Sequence, residues 1–247
     1  MIGESFSVSS DNLDSSPYIL GTHAHAFVNS FKSVSEVHDH FLKNATTSTP
    51  VDFVSLAKRH LTTVSDILGT NPSTPNESEM AAFVAYAMAF PDDFLALIDT
   101  YDVEQSGLVN FSAVALALHD CGYRARGVRI DSGDLAYLSV AARTVFEKIA
   151  DSRRDASGGV DKLAWMRSLV IVASNDINED TLISLKQQKH AIDAYGIGTH
   201  LVTCQKQPAL GCVFKLVECN GEPRMKLSQV ADKVTLPFKK NVYRLYR

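Results

Sequence analysis

The chain has 247 residues, of which 45% are apolar, 21% charged and 9% aromatic, with a formal charge of −4. Such a make-up belongs to a globular protein with a sizeable core and excludes disordered and fibrous chains. The negative balance gives no electrostatic basis for nucleic acid or an anionic membrane as the main partner, although local basic pockets for phosphate remain open. The opening MIGESFSVSSDNLDSS is polar and Ser-rich and shows no secretory signal. Residues 1–19 are therefore expected to be a poorly ordered start, followed by one domain over 20–247. Four cysteines (Cys121, Cys204, Cys212 and Cys219) form no CxxC pair and read as reduced thiols of a cytoplasmic protein.

In chain order, Gly21-Thr22-His23-Ala24-His25-Ala26-Phe27 places two histidines at i and i+2, on one face if the segment is a strand. His38 and His40 repeat that spacing in a segment read as helix, where they diverge and lie on the surface. Val51–Leu68 carries helical apolar periodicity and stops at Gly69. The Pro-, Asn- and Ser-rich stretch Thr70–Glu79 is a loop. Glu79–Phe90 is a mostly buried helix, and its apolar run Ala81–Phe90 is shorter than the roughly 20 residues of a membrane span.

A β-α rhythm follows. Strand-like runs at Phe94–Thr100, Gly127–Asp131, Leu169–Ser174 and Ala191–Gly196 alternate with helical patterns at Ser106–Gly122, Gly133–Ala150 and Asn178–Lys189. Alternation of this kind implies parallel strands with helical crossovers, and the unbroken apolar runs imply a sheet covered on both faces. The segment from Asp151 is a surface loop. Cys212–Glu218 and Glu222–Leu227 flank Asn220-Gly221, a hairpin signal.

In parallel α/β folds, sites lie beyond the carboxyl ends of the strands. There the chain carries Asp99-Thr100-Tyr101-Asp102, Asp131-Ser132-Gly133-Asp134, Ser174-Asn175-Asp176 and Gly196-Ile197-Gly198-Thr199. Each junction alone is explained by helix capping; four at one rim point to a site. Arg129 lies inside a strand, two residues before Asp131, and needs either that Asp or an anionic ligand as partner. Gly196-Ile197-Gly198-Thr199 suits a phosphate cradle, while the dinucleotide and Walker patterns are absent. His23 and His25 fit either a metal pair of the barrel-hydrolase type or one working histidine beside an incidental one.

The blocks GTHAHAF, AFVAYAMAFPDDFLALIDTYDVEQSGLVNF, YRARGVRIDSGDL, LVIVASNDINEDTL, AYGIGTHLVTC and GEPRMKLS together resemble eukaryotic nicotinate phosphoribosyltransferases, from about Leu20 to Arg247. The resemblance implies an α/β fold, part of an irregular βα barrel of the type II phosphoribosyltransferase kind, with a C-terminal β-hairpin. It also implies condensation of nicotinate with phosphoribosyl pyrophosphate to give nicotinate mononucleotide and pyrophosphate, in NAD biosynthesis. ATP hydrolysis would be coupled through a phosphorylated histidine, Mg²⁺ would accompany the pyrophosphate substrate, and the family works as a homodimer in the cytoplasm.

Carried over by motif, His25 is the phosphohistidine. Thr22 and Arg129 contact nicotinate, Asp131 the ribose hydroxyls and Thr199 the phosphate. Ser132, Gly133, Asn175, Gly196 and Gly198 complete the expected substrate-binding set, with no metal ligand among them. His23 stands where the family usually has an apolar residue and is read as packing. The family's long region before the GT-x-A-H block has no counterpart in the opening residues, so the resemblance implies a partial chain with doubtful activity by itself. The competing expectations are a metal-dependent hydrolase built on His23 and His25, and a non-catalytic remnant that dimerises with a full-length subunit.

Overall fold

The structure is a computed structural model that describes residues 4–6, 19–152, 162–203, 214–225 and 234–246. Of the expected poorly ordered start, residues 1–3 and 7–18 lie outside the described residues, as do most of the expected loop after Asp151, Cys204 and Cys212. Strand β1 (Glu4–Phe6) pairs antiparallel with β2 (Ile19–Gly21), and helix α1 (His25–Ser30) follows. Strands β3 (Phe41–Lys43) and β4 (Pro50–Asp52) form a second antiparallel ribbon that leads into helix α2 (Phe53–Leu68). Helix α3 (Glu77–Ala89), strand β5 (Leu95–Leu97), helix α4 (Leu108–Asp120), strand β6 (Gly127–Ile130), helix α5 (Leu135–Asp151), strand β7 (Val170–Ser174), helix α6 (Glu179–Gln187), strand β8 (Ala194–Gly196) and the single turn α7 (Thr199–Val202) carry the β-α rhythm. Strands β9 (Glu218–Cys219) and β10 (Glu222–Pro223) close the hairpin around Asn220 and Gly221, both at positive φ.

Strands β5, β6, β7 and β8 make one parallel sheet in chain order, with no barrel closure among the described residues. The expected α/β class, parallel sheet and C-terminal hairpin are what the chain forms. Ala96, Ile98, Val128, Ile130, Ile171 and Ala173 point into the main core with the helices. The alternate residues Leu95, Val172 and Ala194 form a separate cluster on the opposite, inner face. One row of the register there runs Leu97–Arg129–Val172–Ala194.

Local chemistry explains the helices. Asp52 caps α2 by accepting the Ser55 N–H, and Gly69 ends the helix in the left-handed region at φ 73°. Every residue of α4 from Leu108 to Leu118 is buried, so its sequence shows little amphipathic period. α4 is preceded by a five-residue π turn, Val103–Gly107, whose last two residues were expected to be the start of the helix Ser106–Gly122. The reason is space: a Cβ on Gly107 would stand 2.1 Å from the Ile98 carbonyl oxygen, so only glycine lets this turn seat against the end of β5.

Two expectations need correction. Residues 22–24 are not strand, and His25 opens α1, so His23 and His25 do not share a strand face. The cause is the β5 edge that no described strand pairs with, which takes the Thr22 and His23 side chains. His38 and His40 sit in a loop after a single 3₁₀ turn rather than in a helix, because the β3–β4 ribbon starts directly after them.

Candidate active site

The next inner-face row, two residues beyond Leu97, Arg129, Val172 and Ala194, is polar: Asp99, Asp131, Ser174 and Gly196 end their strands on the same side. The Ser174 hydroxyl donates to Asp131 Oδ1 at 2.8 Å. Ser132 donates to Asp99 Oδ2. His25, 8% exposed, enters from α1: its Nδ1 lies 3.0 Å from the Thr100 hydroxyl. Its Nε2 faces Asp131 Oδ2 at 3.6 Å and Asp99 Oδ1 at 3.9 Å. Burial works to raise the Asp131 carboxyl, but His25, the Arg129 charge and the Ser174 hydroxyl outweigh it and hold the group below its ordinary value. The imidazole is thus held on one nitrogen by a hydroxyl and faced on the other by two carboxylates.

The capping explanation and the site explanation divide between different residues. Asp102, Asp134 and Asn178 accept backbone N–H groups at their helix starts. Asp99, Asp131 and Ser174, which stand at the strand ends themselves, turn to the rim instead.

Asp131, Ser174, Asn175, Asp176, Gly196, Gly198, Thr199 and His200 line one cleft of about 260 Å³. It adjoins a wider one of about 640 Å³ floored by Gly133, Asp134 and the side of α6, with Asn175 shared. The turn between them is strained: Asn175 at φ 151° and Asp176 at φ 49° are two successive non-glycine residues at positive φ, each costing on the order of 1–3 kcal/mol. A Cβ on Gly198 would meet nothing within 4 Å, so this glycine is not demanded by packing and leaves the cleft floor open.

The structure therefore brings Asp131, Asn175, Gly196, Gly198 and Thr199 together, with Ser132 and Gly133 beside them and His25 against Asp131. Arg129 lines neither cleft. Its Nε is buried without a hydrogen-bond partner on the inner face, and no ion pair with Asp131 forms among the described residues. Thr22 is 1% exposed and donates its hydroxyl to the Leu95 carbonyl at 3.1 Å. His23 is buried among Phe27, Phe83 and Tyr86. His60 pairs with Asp120, His119 packs on Trp165, and His190 meets Tyr195, all away from the rim. Asp99 and Thr100 were visible only as another polar junction, and it is they that touch His25. Glu79 gave one signal, a charge opening an otherwise apolar helix run.

Among the described residues, no helix is long and apolar enough to cross a membrane. The family model described as the nicotinate phosphoribosyltransferase (NAPRTase) family matches residues 115–247, more than half of the chain. Nicotinate phosphoribosyltransferase 1 of Arabidopsis thaliana is 51% identical over 232 residues, covering 92% of this chain and 40% of that protein. The human nicotinate phosphoribosyltransferase is 45% identical over 228 residues, 92% of this chain and 41% of its own length. A crystal structure of human nicotinic acid phosphoribosyltransferase superposes with a TM-score of 0.66 at 43% identity, over 85% of this chain and 38% of that one. The chain thus spans about two fifths of the length of these relatives. From the strand-end row to the hairpin, sequence and fold agree: this chain belongs to the nicotinate phosphoribosyltransferase family.

Proposed function

We propose that this chain carries part of the active site of a cytoplasmic, homodimeric nicotinate phosphoribosyltransferase, which joins nicotinate to magnesium-complexed phosphoribosyl pyrophosphate with ATP as co-substrate. The observation that carries the reading is His25 held against Asp99, Thr100 and Asp131 at the mouth of a cleft floored by Gly196, Gly198 and Thr199. Glycosyl transfer passes through an oxocarbenium-like state with pyrophosphate as leaving group, so the protein's task is to position reactants and balance charge. The Asp99 and Asp131 carboxylates stabilise positive charge at the sugar, and Asp131 accepts its hydroxyls. Gly196, Gly198 and Thr199 offer backbone N–H groups and a hydroxyl to the 5′-phosphate. Asn175, Ser132 and Gly133 frame the same mouth. Arg129, with an unspent buried Nε, supplies the fork for the nicotinate carboxylate, and Thr22 acts through the segment that carries His25.

His25 accepts the γ-phosphoryl group of ATP on the nitrogen that faces the rim. In a form extended to the relatives' full length, γ-labelled ATP should leave acid-labile, base-stable phosphate on the protein, and His25→Ala should remove it. Label that persists in His25→Ala refutes this role. The metal-dependent hydrolase is disfavoured because the His23 Nε2 is already occupied by the Leu97 N–H.

A further inference from the structure

Strand β5 is the outer strand of the parallel sheet: β6 pairs with one of its edges and no strand pairs with the other among the described residues. An edge strand presents unsatisfied N–H and C=O groups, and when buried these are costly. Leu95 and Leu97 are 2% and 0% exposed, so water does not serve this edge. Two side chains serve it instead. The Thr22 hydroxyl donates to the Leu95 carbonyl at 3.1 Å, and the Leu97 N–H donates to His23 Nε2 at 3.2 Å. Thr22 and His23 therefore replace the two backbone bonds that a neighbouring strand would have made.

His23 is suited to this by its surroundings. Its ring centroid lies 5.0 Å from Tyr86, 5.5 Å from Phe27 and 5.8 Å from Phe83. Burial among these rings holds its pKa near 3, so the ring is neutral. With Nε2 accepting, the ring proton sits on Nδ1. Two residues later the chain places His25, whose contacts with Thr100, Asp99 and Asp131 depend on where α1 begins. The link is short: each residue adds at most ~3.8 Å of reach, so His23 and His25 cannot move independently.

We infer that His23 is a positioning residue, whose hydrogen bond from the Leu97 N–H anchors the Thr22–His25 segment to the β5 edge and so aims the His25 imidazole at the Asp99–Asp131 pair. An apolar side chain would fill the aromatic box and leave the Leu97 N–H buried without an acceptor. Packing is thus only half of what His23 does.

The test uses the 247-residue chain with His23→Leu, which keeps volume without an acceptor, and His23→Gln, which restores one. Two quantities are read by NMR: exchange of the Leu97 amide, and the side-chain ¹⁵N shifts of His23 and His25. In wild type, His23 Nε2 should be unprotonated and the Leu97 amide protected. In His23→Leu that amide should exchange roughly tenfold faster or more, the scale of a lost buried hydrogen bond, while amides of β6 and β7 stay protected. The His25 shifts should move with it, and His23→Gln should return both toward wild type. Unchanged Leu97 exchange and His25 shifts in a folded His23→Leu would overturn the assignment. So would a protonated Nε2 on His23 in wild type, a measurement that needs no variant to fold. The consequence for phosphoryl transfer rests on the function proposed above. Because these readouts need no turnover, their failure removes the role of His23 and leaves that function standing, whereas intact anchoring without His25 phosphorylation removes the function alone.

Discussion

Glu79 offers a sharp test of the electrostatics beneath the rim. It sits in the first turn of α3, fully buried. Its Oε2 accepts the Ser106 hydroxyl at 2.5 Å and the Asn110 amide at 3.2 Å, while Oε1 has no hydrogen-bond partner. Burial is the main cause that raises its pKa from 4.5 to about 8; Asp99 and Asp102 add repulsion, and the Ser106 and Asn110 hydrogen bonds oppose the rise. At neutral pH Glu79 is a neutral acid that pins the π turn to α3. The sign follows from proton counts. Between pH 4.5 and about 8 the folded chain holds a proton that the unfolded chain has lost. The stabilisation from that proton is full below pH 4.5 and disappears as pH rises through about 8. The slope is about −1.4 kcal/mol per pH unit, or about 3 kcal/mol between roughly pH 5.5 and 7.5. Glu79→Gln keeps the shape and the acceptor but cannot titrate. Any cost of its amide is independent of pH, so it shifts the whole curve without tilting it. Urea unfolding followed by the fluorescence of Trp165, the chain's single tryptophan, should show the variant gaining on wild type by about 3 kcal/mol across roughly that range. Parallel curves for the two proteins would refute a buried, protonated Glu79.

Three further outcomes follow from the geometry. Gly107→Ala drives a Cβ to 2.1 Å from the Ile98 carbonyl oxygen and should lower the unfolding free energy by about 3 kcal/mol in the same assay, or by more. Gly198→Val meets no atom within 4 Å at its Cβ, so the melting temperature should hold. Titration with phosphoribosyl pyrophosphate in the full-length form should nevertheless show weakened binding, and affinity losses shared equally with nicotinate would contradict a phosphate cradle. Asp131→Asn should flatten the acid limb of stability. The depressed Asp131 carboxyl contributes above its unfolded pKa, and that contribution is lost as pH falls through the lower folded value; an unchanged acid limb in thermal melts would count against the His25–Asp131–Ser174 contacts.

The strands were legible because a parallel sheet covered on both faces leaves unbroken apolar runs, and Val170–Ser174 and Gly127–Ile130 fall inside theirs. Helix stops at Gly69 and Gly122 were legible because both glycines take positive φ. The Asn-Gly hairpin turn was legible for the same reason. What escaped the sequence depends on distant partners. Nothing near Thr22 or His23 announces that their acceptor and donor lie on Leu95 and Leu97, so the segment read as strand. The π turn exists because Gly107 must clear Ile98, a contact between elements. Asp99 and Asp102 look alike in one dimension, yet Asp102 caps a turn and Asp99 faces His25. Only the strand register separates them.

That register has a consequence for how the site tolerates change. Asp99, Asp131, Ser174 and Gly196 are addressed by position within their strands, each two steps past the row Leu97–Arg129–Val172–Ala194. The crossovers between strands can lengthen or shorten without moving any of the four, since each strand is located by its neighbours. A deletion of one residue inside β6 would do the opposite, rotating Arg129 and Asp131 into the helical layer. Gly127 guards against such slippage: a Cβ there would stand 1.9 Å from the Val170 carbonyl oxygen, so only one residue of that strand can lie opposite Val170. The chemistry of the rim is in this sense indexed by a ruler built into the sheet, and the loops are free to drift around it.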